Sequence, residues 1–198
     1  MSAKADDIAW LNPQVAFWQA YEPKVKTDLS SCAINFEGKL FLFDPIPLSK
    51  DAWQELTAST TPAAIILTNE NHQRASLKMC EDLKIPIIAP EGARGELTAD
   101  EWFSSEDATL ACGFEIISLP GFALGETAFY VKQLRTLIVG DALINLPSHG
   151  FSMLPAKYCN DARTAKKSLL ALRDLDLDLL CMAHGEPLRN PAGKLAAL

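Results

Sequence analysis

Residues 65–74 read Ile-Ile-Leu-Thr-Asn-Glu-Asn-His-Gln-Arg, and the change of character at Thr68 decides how the chain folds. Ala63–Leu67 is a continuous apolar run behind Pro62, the pattern of a strand buried on both faces. It gives way at once to a polar stretch, Thr68–Arg74, which leads into a helix predicted to reach about Leu83, with Leu77, Cys80 and Leu83 at helical spacing. In layered α/β proteins ligands gather at the carboxyl ends of such strands, because the exits line a crevice. The same arrangement recurs downstream, where Thr136–Val139 runs into Gly140-Asp141 and Leu177–Ala183 into His184-Gly185.

Reading outward, Val15–Tyr21 alternates as a half-buried strand does. Ser31–Phe36 and Lys39–Phe43 form a predicted hairpin about Glu37-Gly38, and Asp44-Pro45 ends its second strand. Ser49 is placed to cap a short helix carrying Trp53 and Leu56. Ile85–Ala89 reads as another buried strand, and 98–107 as a loop with a short helix. Ala108–Leu119 and Glu126–Val131 read as strands, and Asn160 caps a predicted helix over 161–172. Two sheets covered by helices satisfy this order, so the expected fold is an α/β sandwich of four layers, αββα, formed by a single domain over residues 1–198. Of the aromatics Trp10, Phe17, Trp18 and Tyr21, core packing is the expectation.

The net charge of −7 argues against a nucleic-acid partner, which needs a concentrated basic surface. No apolar run is long enough to span a bilayer, and the polar N-terminus does not read as a secretory signal, so a cytoplasmic protein is expected. Its five cysteines are scattered without CxxC spacing and read as reduced, buried thiols. With three histidines, His72, His149 and His184, the chain has few ligands to offer a metal. A homodimer is the default assembly.

The segment IILTNENHQR occupies the place and rhythm of the ILTHxHxDH motif of the metallo-β-lactamase superfamily, whose members include glyoxalase II-like hydrolases. Downstream, LPGFALGETAFY resembles that family's PGHTPGSxxFY, TLIVGDALI its LFxGDxLF, and MAHGEP its PGHGP; upstream, GKLFLFDPIPL resembles the strand ending in aspartate before the site. The resemblance runs from about Ser31 to Pro187 and implies the four-layer fold. It also implies a degenerate metal site. The family's first-motif ligands are matched by Asn69, Asn71, Gln73 and Arg74, and the PGH histidine by Phe122. Asp141, matching the bridging aspartate, and His184, matching the last histidine, remain.

Neutral amides are weak zinc ligands, phenylalanine offers none, and a guanidinium repels a divalent ion. A dinuclear zinc site is therefore not expected. Removing the metals strands Asp141, and Arg74 is expected to pair with it, with His184 nearby and Asn69, Asn71 and Gln73 bonded around. His72 and Glu70 occupy spacer positions; His72 is expected at a helix start, pointing away from the ligand positions, and Glu70 at the surface. His149 is assigned to a loop, 145–157, over the pocket mouth, and Asp44 to a structural role beneath it.

The candidate catalytic pair is thus Asp141 and His184, lined by Asn69, Glu70, Asn71, His72, Gln73, Arg74, Phe122 and His149, with no cofactor. The leading functional expectation is a hydrolase-like protein that binds an unidentified small molecule, or acts on it, without the usual zinc pair. One alternative is a hydrolase of the glyoxalase II or thioesterase kind using a single divalent ion on His72, Asp141 and His184. The other is a non-catalytic structural or interaction protein.

Overall fold

A computed structural model describes residues 4–198. A sheet of seven strands takes up the first half of the chain: β1 (Ala9–Asn12), β2 (Val15–Glu22), β3 (Thr27–Phe36), β4 (Lys39–Phe43), β5 (Thr61–Ile66), β6 (Ile87–Pro90) and β7 (Glu101–Phe103), hydrogen-bonded in that order. The first three pairings are antiparallel and the rest parallel. Parallel neighbours need crossovers, and α1 (Lys50–Leu56) and α2 (Ser76–Leu83) supply two of them. The second sheet orders β8 (Glu115–Ser118), β9 (Thr127–Val131), β10 (Thr136–Val139), β13 (Leu179–Met182) and β14 (Leu188–Arg189) as 14-13-10-9-8. Between β10 and β13 come a hairpin, β11 (Leu143–Leu146) with β12 (Gly150–Met153), and α3 (Ala162–Ser168), extended by a 3-10 turn through Leu172; α4 (Ala192–Ala196) ends the chain.

Strand alternation sorts the core into three slabs. Phe41 and Phe43 of β4 face inward with Ile34, Phe114, Phe129 and Ile138, filling the space between the sheets. Leu40 and Leu42, one residue out of phase, meet Leu56 of α1 and Leu83 of α2 on the outer face. Beyond the second sheet, Tyr130, Val139 and Leu180 pack on Ala165 and Leu169 of the α3 segment and Leu195 of α4. Helix, sheet, sheet, helix is the expected αββα order. Among the described residues no helix is long and apolar enough to cross a membrane.

Local signals explain several boundaries. Glu37 and Gly38 both take positive φ, 54° and 77°, as a tight β3–β4 turn demands. Ser49 caps α1 by accepting from Ala52 N at 3.2 Å. Several expectations need correction. The segment 98–107 contains a strand, β7, because Asp100 accepts from Ile87 N at 2.8 Å and brings Glu101–Phe103 alongside β6. The predicted strand Ala108–Leu119 is ordered as strand over Glu115–Ser118 alone. The loop 145–157 begins as the β11–β12 hairpin. Asp161, not Asn160, caps α3, its Oδ1 accepting from Arg163 N and Thr164 N. Leu77 is 49% exposed although it shares helical spacing with Cys80 and Leu83. Phe17 and Trp18 are buried as expected, whereas Trp10 and Tyr21 are exposed.

Candidate functional site

Helix α2 begins at Ser76, so residues 69–75 form a loop between β5 and α2, not a helix start. That difference changes where His72 goes. Its imidazole turns inward, almost fully buried, and lies between two carboxylates. Nδ1 lies 2.8 Å from Asp44 Oδ2 and Nε2 lies 3.2 Å from Asp141 Oδ1. Thr68 donates through Oγ1 to Asp44 Oδ2 at 2.6 Å and through its N–H to Asp44 Oδ1 at 2.9 Å. The Thr68 proton is thus committed to Asp44, and the proton of His72 that meets Asp44 and Thr68 must sit on Nδ1. His72, expected to point away, is central.

His184 completes a cluster. Its Nδ1 lies 3.0 Å from the carbonyl of Asp28, an acceptor only, so this nitrogen also carries hydrogen. Its Nε2 lies 3.1 Å from Asp141 Oδ1, the atom His72 also approaches. One ligand atom each from His72, Asp141 and His184 therefore converge, all within 4.8 Å of one another. Asp141 and His184 side chains are 12% and 16% exposed, so solvent reaches the cluster from their side.

Sequence patterning places Glu126 at the first residue of a strand and gives it no role in the site. It is buried behind Asp141, with Oε2 accepting from Asn69 Nδ2 at 2.7 Å and Oε1 from Ala142 N at 3.0 Å. Asn69 Nδ2 also donates to Asp141 Oδ2 at 3.2 Å, joining the two carboxyls. A polar residue following Gly125 inside LPGFALGETAFY was the available signal.

These environments set the protonation states. Burial drives the pKa of Glu126 up and the neighbouring Asp141 charge drives it further, to about 8. Burial lowers that of His72, but the charges of Asp44 and Asp141 outweigh it and raise the pKa to about 9. Burial also opposes ionisation of Asp141, yet the charge of His72 and the hydrogen bonds from His184 and His72 hold its carboxyl well below the usual range. The same contest at Asp44, won by His72, lowers its pKa.

Arg74 does not pair with Asp141. Its Nη1 donates to the carbonyls of Ser30 (2.6 Å) and Asp44 (2.8 Å), and its Nη2 to that of Ala183 (3.2 Å). The planar fork satisfies main-chain acceptors from three separate stretches, a job for which guanidinium is suited. The carboxylate of Asp141 is held instead by two imidazoles and Asn69.

The remaining lining candidates scatter. Asn71 is exposed, and Gln73 turns its Oε1 to Thr98 N at 2.6 Å, so neither surrounds Asp141. Glu70 accepts from Leu124 N at 2.9 Å and pins the loop before β9. Phe122 is buried among Leu119, Ala128 and Ala165 in the core beneath α3. His149 is exposed at the tip of the β11–β12 hairpin, 2.7 Å from Ser148 Oγ. The body of that hairpin does adjoin the site, for Asn145 N donates to the carbonyl of His184 at 3.1 Å.

Comparison with known proteins agrees with this architecture. The DIM-1 metallo-beta-lactamase superposes with a TM-score of 0.76 at 14% identity, covering 98% of this chain and 97% of that one. FIM-1 from Pseudomonas aeruginosa, solved in its mono-zinc form, gives 0.75 at 14% identity with 99% and 94% covered. The BLEG-1 B3 metallo-beta-lactamase gives 0.68 at 19%, with 89% and 95% covered. No curated protein matches the sequence. A family model described as the metallo-beta-lactamase superfamily matches residues 9–182, the greater part of the chain. The chain belongs to the metallo-beta-lactamase superfamily.

Proposed function

We propose that this protein is a hydrolase whose centre takes one divalent ion on His72 Nε2, Asp141 and His184 Nε2. The observation that carries this reading is the direction of the two imidazoles. Each has Nδ1 committed to an oxygen, Asp44 for one and the Asp28 carbonyl for the other, so each presents Nε2 to the same atom, Asp141 Oδ1. A histidine fixed through one nitrogen by a carboxylate or carbonyl, with the other nitrogen free, is how ligating imidazoles are commonly held. The two Nε2–Oδ1 separations, 3.2 and 3.1 Å, are close to the edge of a tetrahedron built on metal–ligand bonds of about 2.0–2.1 Å, roughly 3.3 Å. Three protein ligands with a further position open is the count of a catalytic site. The residues present fit one ion and do not fit two.

A divalent ion there supplies Lewis acidity, making water acidic near neutral pH and polarising the carbonyl of an ester-like substrate. The chain's own residues do the rest. Asp44 keeps the proton of His72 on Nδ1, Asn69 steadies Oδ2 of Asp141, and Glu126, protonated up to about pH 8, sits beside Asp141 without adding a second negative charge.

A second reading, binding or turnover of a small molecule without metal, is favoured by one observation. With the pKa of His72 raised to about 9, its imidazolium and the Arg74 guanidinium already balance Asp44 and Asp141 at neutral pH. Metal content decides between the two. Protein purified without chelator and titrated with Zn²⁺, Mn²⁺ or Fe²⁺ is expected to hold about one equivalent, to gain thermal stability, and to hydrolyse some member of a panel of thioesters, lactones and phosphate esters. His184→Ala should remove both effects. Less than about a tenth of an equivalent bound under saturating metal would eliminate the metal reading; a melting shift by a panel compound would then support the second. No response to any metal or compound would leave a structural or interaction role.

A further inference from the structure

The two sheets meet along a seam built from main chain. Ser30 N donates to the carbonyl of Ala183 at 2.8 Å, and Ser30 Oγ both donates to Gly185 O and accepts from Gly185 N at 3.1 Å. Two residues inward from the Ser30–Ala183 bond along each chain stand Cys32 on β3 and Cys181 on β13. Both belong to the core between the sheets and are 3% and 0% exposed. The neighbouring Cys181 thiol, followed by burial, raises the pKa of the Cys32 thiol well above its ordinary value. β3 and β13 approach within 8 Å between Cα atoms. A disulfide requires Cα atoms roughly 4.4–6.8 Å apart, and the Ser30–Ala183 bond holds the two strands together two residues from each thiol. Of the other three thiols, Cys80 lies beside Asp100 and Cys159 beside the carbonyls of Leu154 and Pro155.

We propose that Cys32 and Cys181 form a redox modification site, a dithiol that a peroxide oxidises to a disulfide joining the two sheets. One thiolate attacks a peroxide oxygen, the O–O bond breaks, and a sulfenic acid and water result. The second thiol then attacks the sulfenic sulfur, the S–O bond breaks, and a second water leaves. Two electrons pass from the sulfur pair to the peroxide, with both thiol protons ending in water. Because the thiolate is the attacking form, burial makes the reaction slow in the closed fold and faster while the sheets are assembling. Once formed, the bond would close a loop of roughly 150 residues, the long-loop case in which a crosslink constrains the unfolded chain most.

The test refolds the full chain with and without hydrogen peroxide, blocks remaining thiols with N-ethylmaleimide, and maps the peptides without reduction. A linked Cys32–Cys181 peptide should be the main crosslink, with a Tm higher by about 5 °C or more and reversed by dithiothreitol. The shift should persist when Cys80, Cys112 and Cys159 are alanine and vanish in Cys181→Val. Recovery of Cys32 and Cys181 as blocked thiols, while Cys80 or Cys112 is oxidised, would overturn the proposal. Should Cys181→Val fail to fold, the peptide map of the unaltered chain decides alone.

Discussion

His72 Nδ1 lies 2.8 Å from Asp44 Oδ2, and this one contact turns the imidazole so that Nε2 meets Asp141. Asp44 follows directly on β4, has φ of 45°, and receives two further hydrogen bonds from Thr68 at the exit of β5. Neighbouring parallel strands thus aim the histidine from below, and the loop that carries it follows.

Asp44→Asn keeps the shape but weakens the anchor, because an amide accepts less strongly than a carboxylate and brings a competing donor. Affinity for Zn²⁺ is expected to fall about 10–100-fold, measured by calorimetric titration. Urea denaturation should show a loss of about 1–3 kcal/mol. Unchanged affinity would mean that His72 does not ligate.

Metal-free protein should lose stability as pH rises from about 5 to 9. Glu126 and His72 bind protons more tightly folded than unfolded: their pKa values rise from 4.5 to about 8 and from 6.5 to about 9. Their stabilising contributions are complete below the unfolded values and disappear as pH climbs through the folded ones. Asp44 and Asp141 act oppositely, with lowered pKa values whose contribution is lost as pH falls below 3.8. The melting temperature in chelator should therefore peak in mild acid, and Glu126→Gln should flatten the part of the decline between pH 4.5 and 8. A melting temperature that rises steadily toward pH 9 would contradict these protonation states.

Arg74→Met should cost about 3–5 kcal/mol, since it leaves three carbonyls without their donor and removes a fixed charge near Asp44 and Asp141. Arg74→Lys, with no planar fork, should recover only part of the loss. Chemical denaturation of both variants measures this; a Met variant within about 0.5 kcal/mol of the parent would show that the fork is dispensable.

Gly140→Ala addresses packing around the site. An added Cβ would lie 2.4 Å from Thr68 Oγ1, 2.8 Å from Glu126 Oε1 and 2.9 Å from Asn69 Nδ2, so the polar network has to shift. A loss of about 1–3 kcal/mol is expected, together with weaker metal binding by the displaced Asp141. Gly193→Ala, where a Cβ meets nothing within 4 Å, is the neutral control.

The layers were legible because burial imposes period two on strands such as β4 and continuous apolarity on β5. The three polar exits were legible too, and all three contribute to the centre. What the sequence did not disclose was which way side chains turn there. His72 is oriented by an aspartate 28 residues earlier, a relation that local spacing cannot express. Arg74 was matched by charge to Asp141, yet its partners are carbonyls, which every residue possesses and which leave no mark in composition. Glu126 sits in a motif whose family likeness is carried by its glycines and aromatics.

The three carbonyls gathered by Arg74 come from positions 30, 44 and 183, near both ends of the chain. A nascent polypeptide that has emerged only through its first sheet therefore holds a guanidinium with one of its acceptors still unsynthesised. The fork is fully satisfied only when the C-terminal strands are in place, and truncations before residue 183 should leave the guanidinium short of that acceptor.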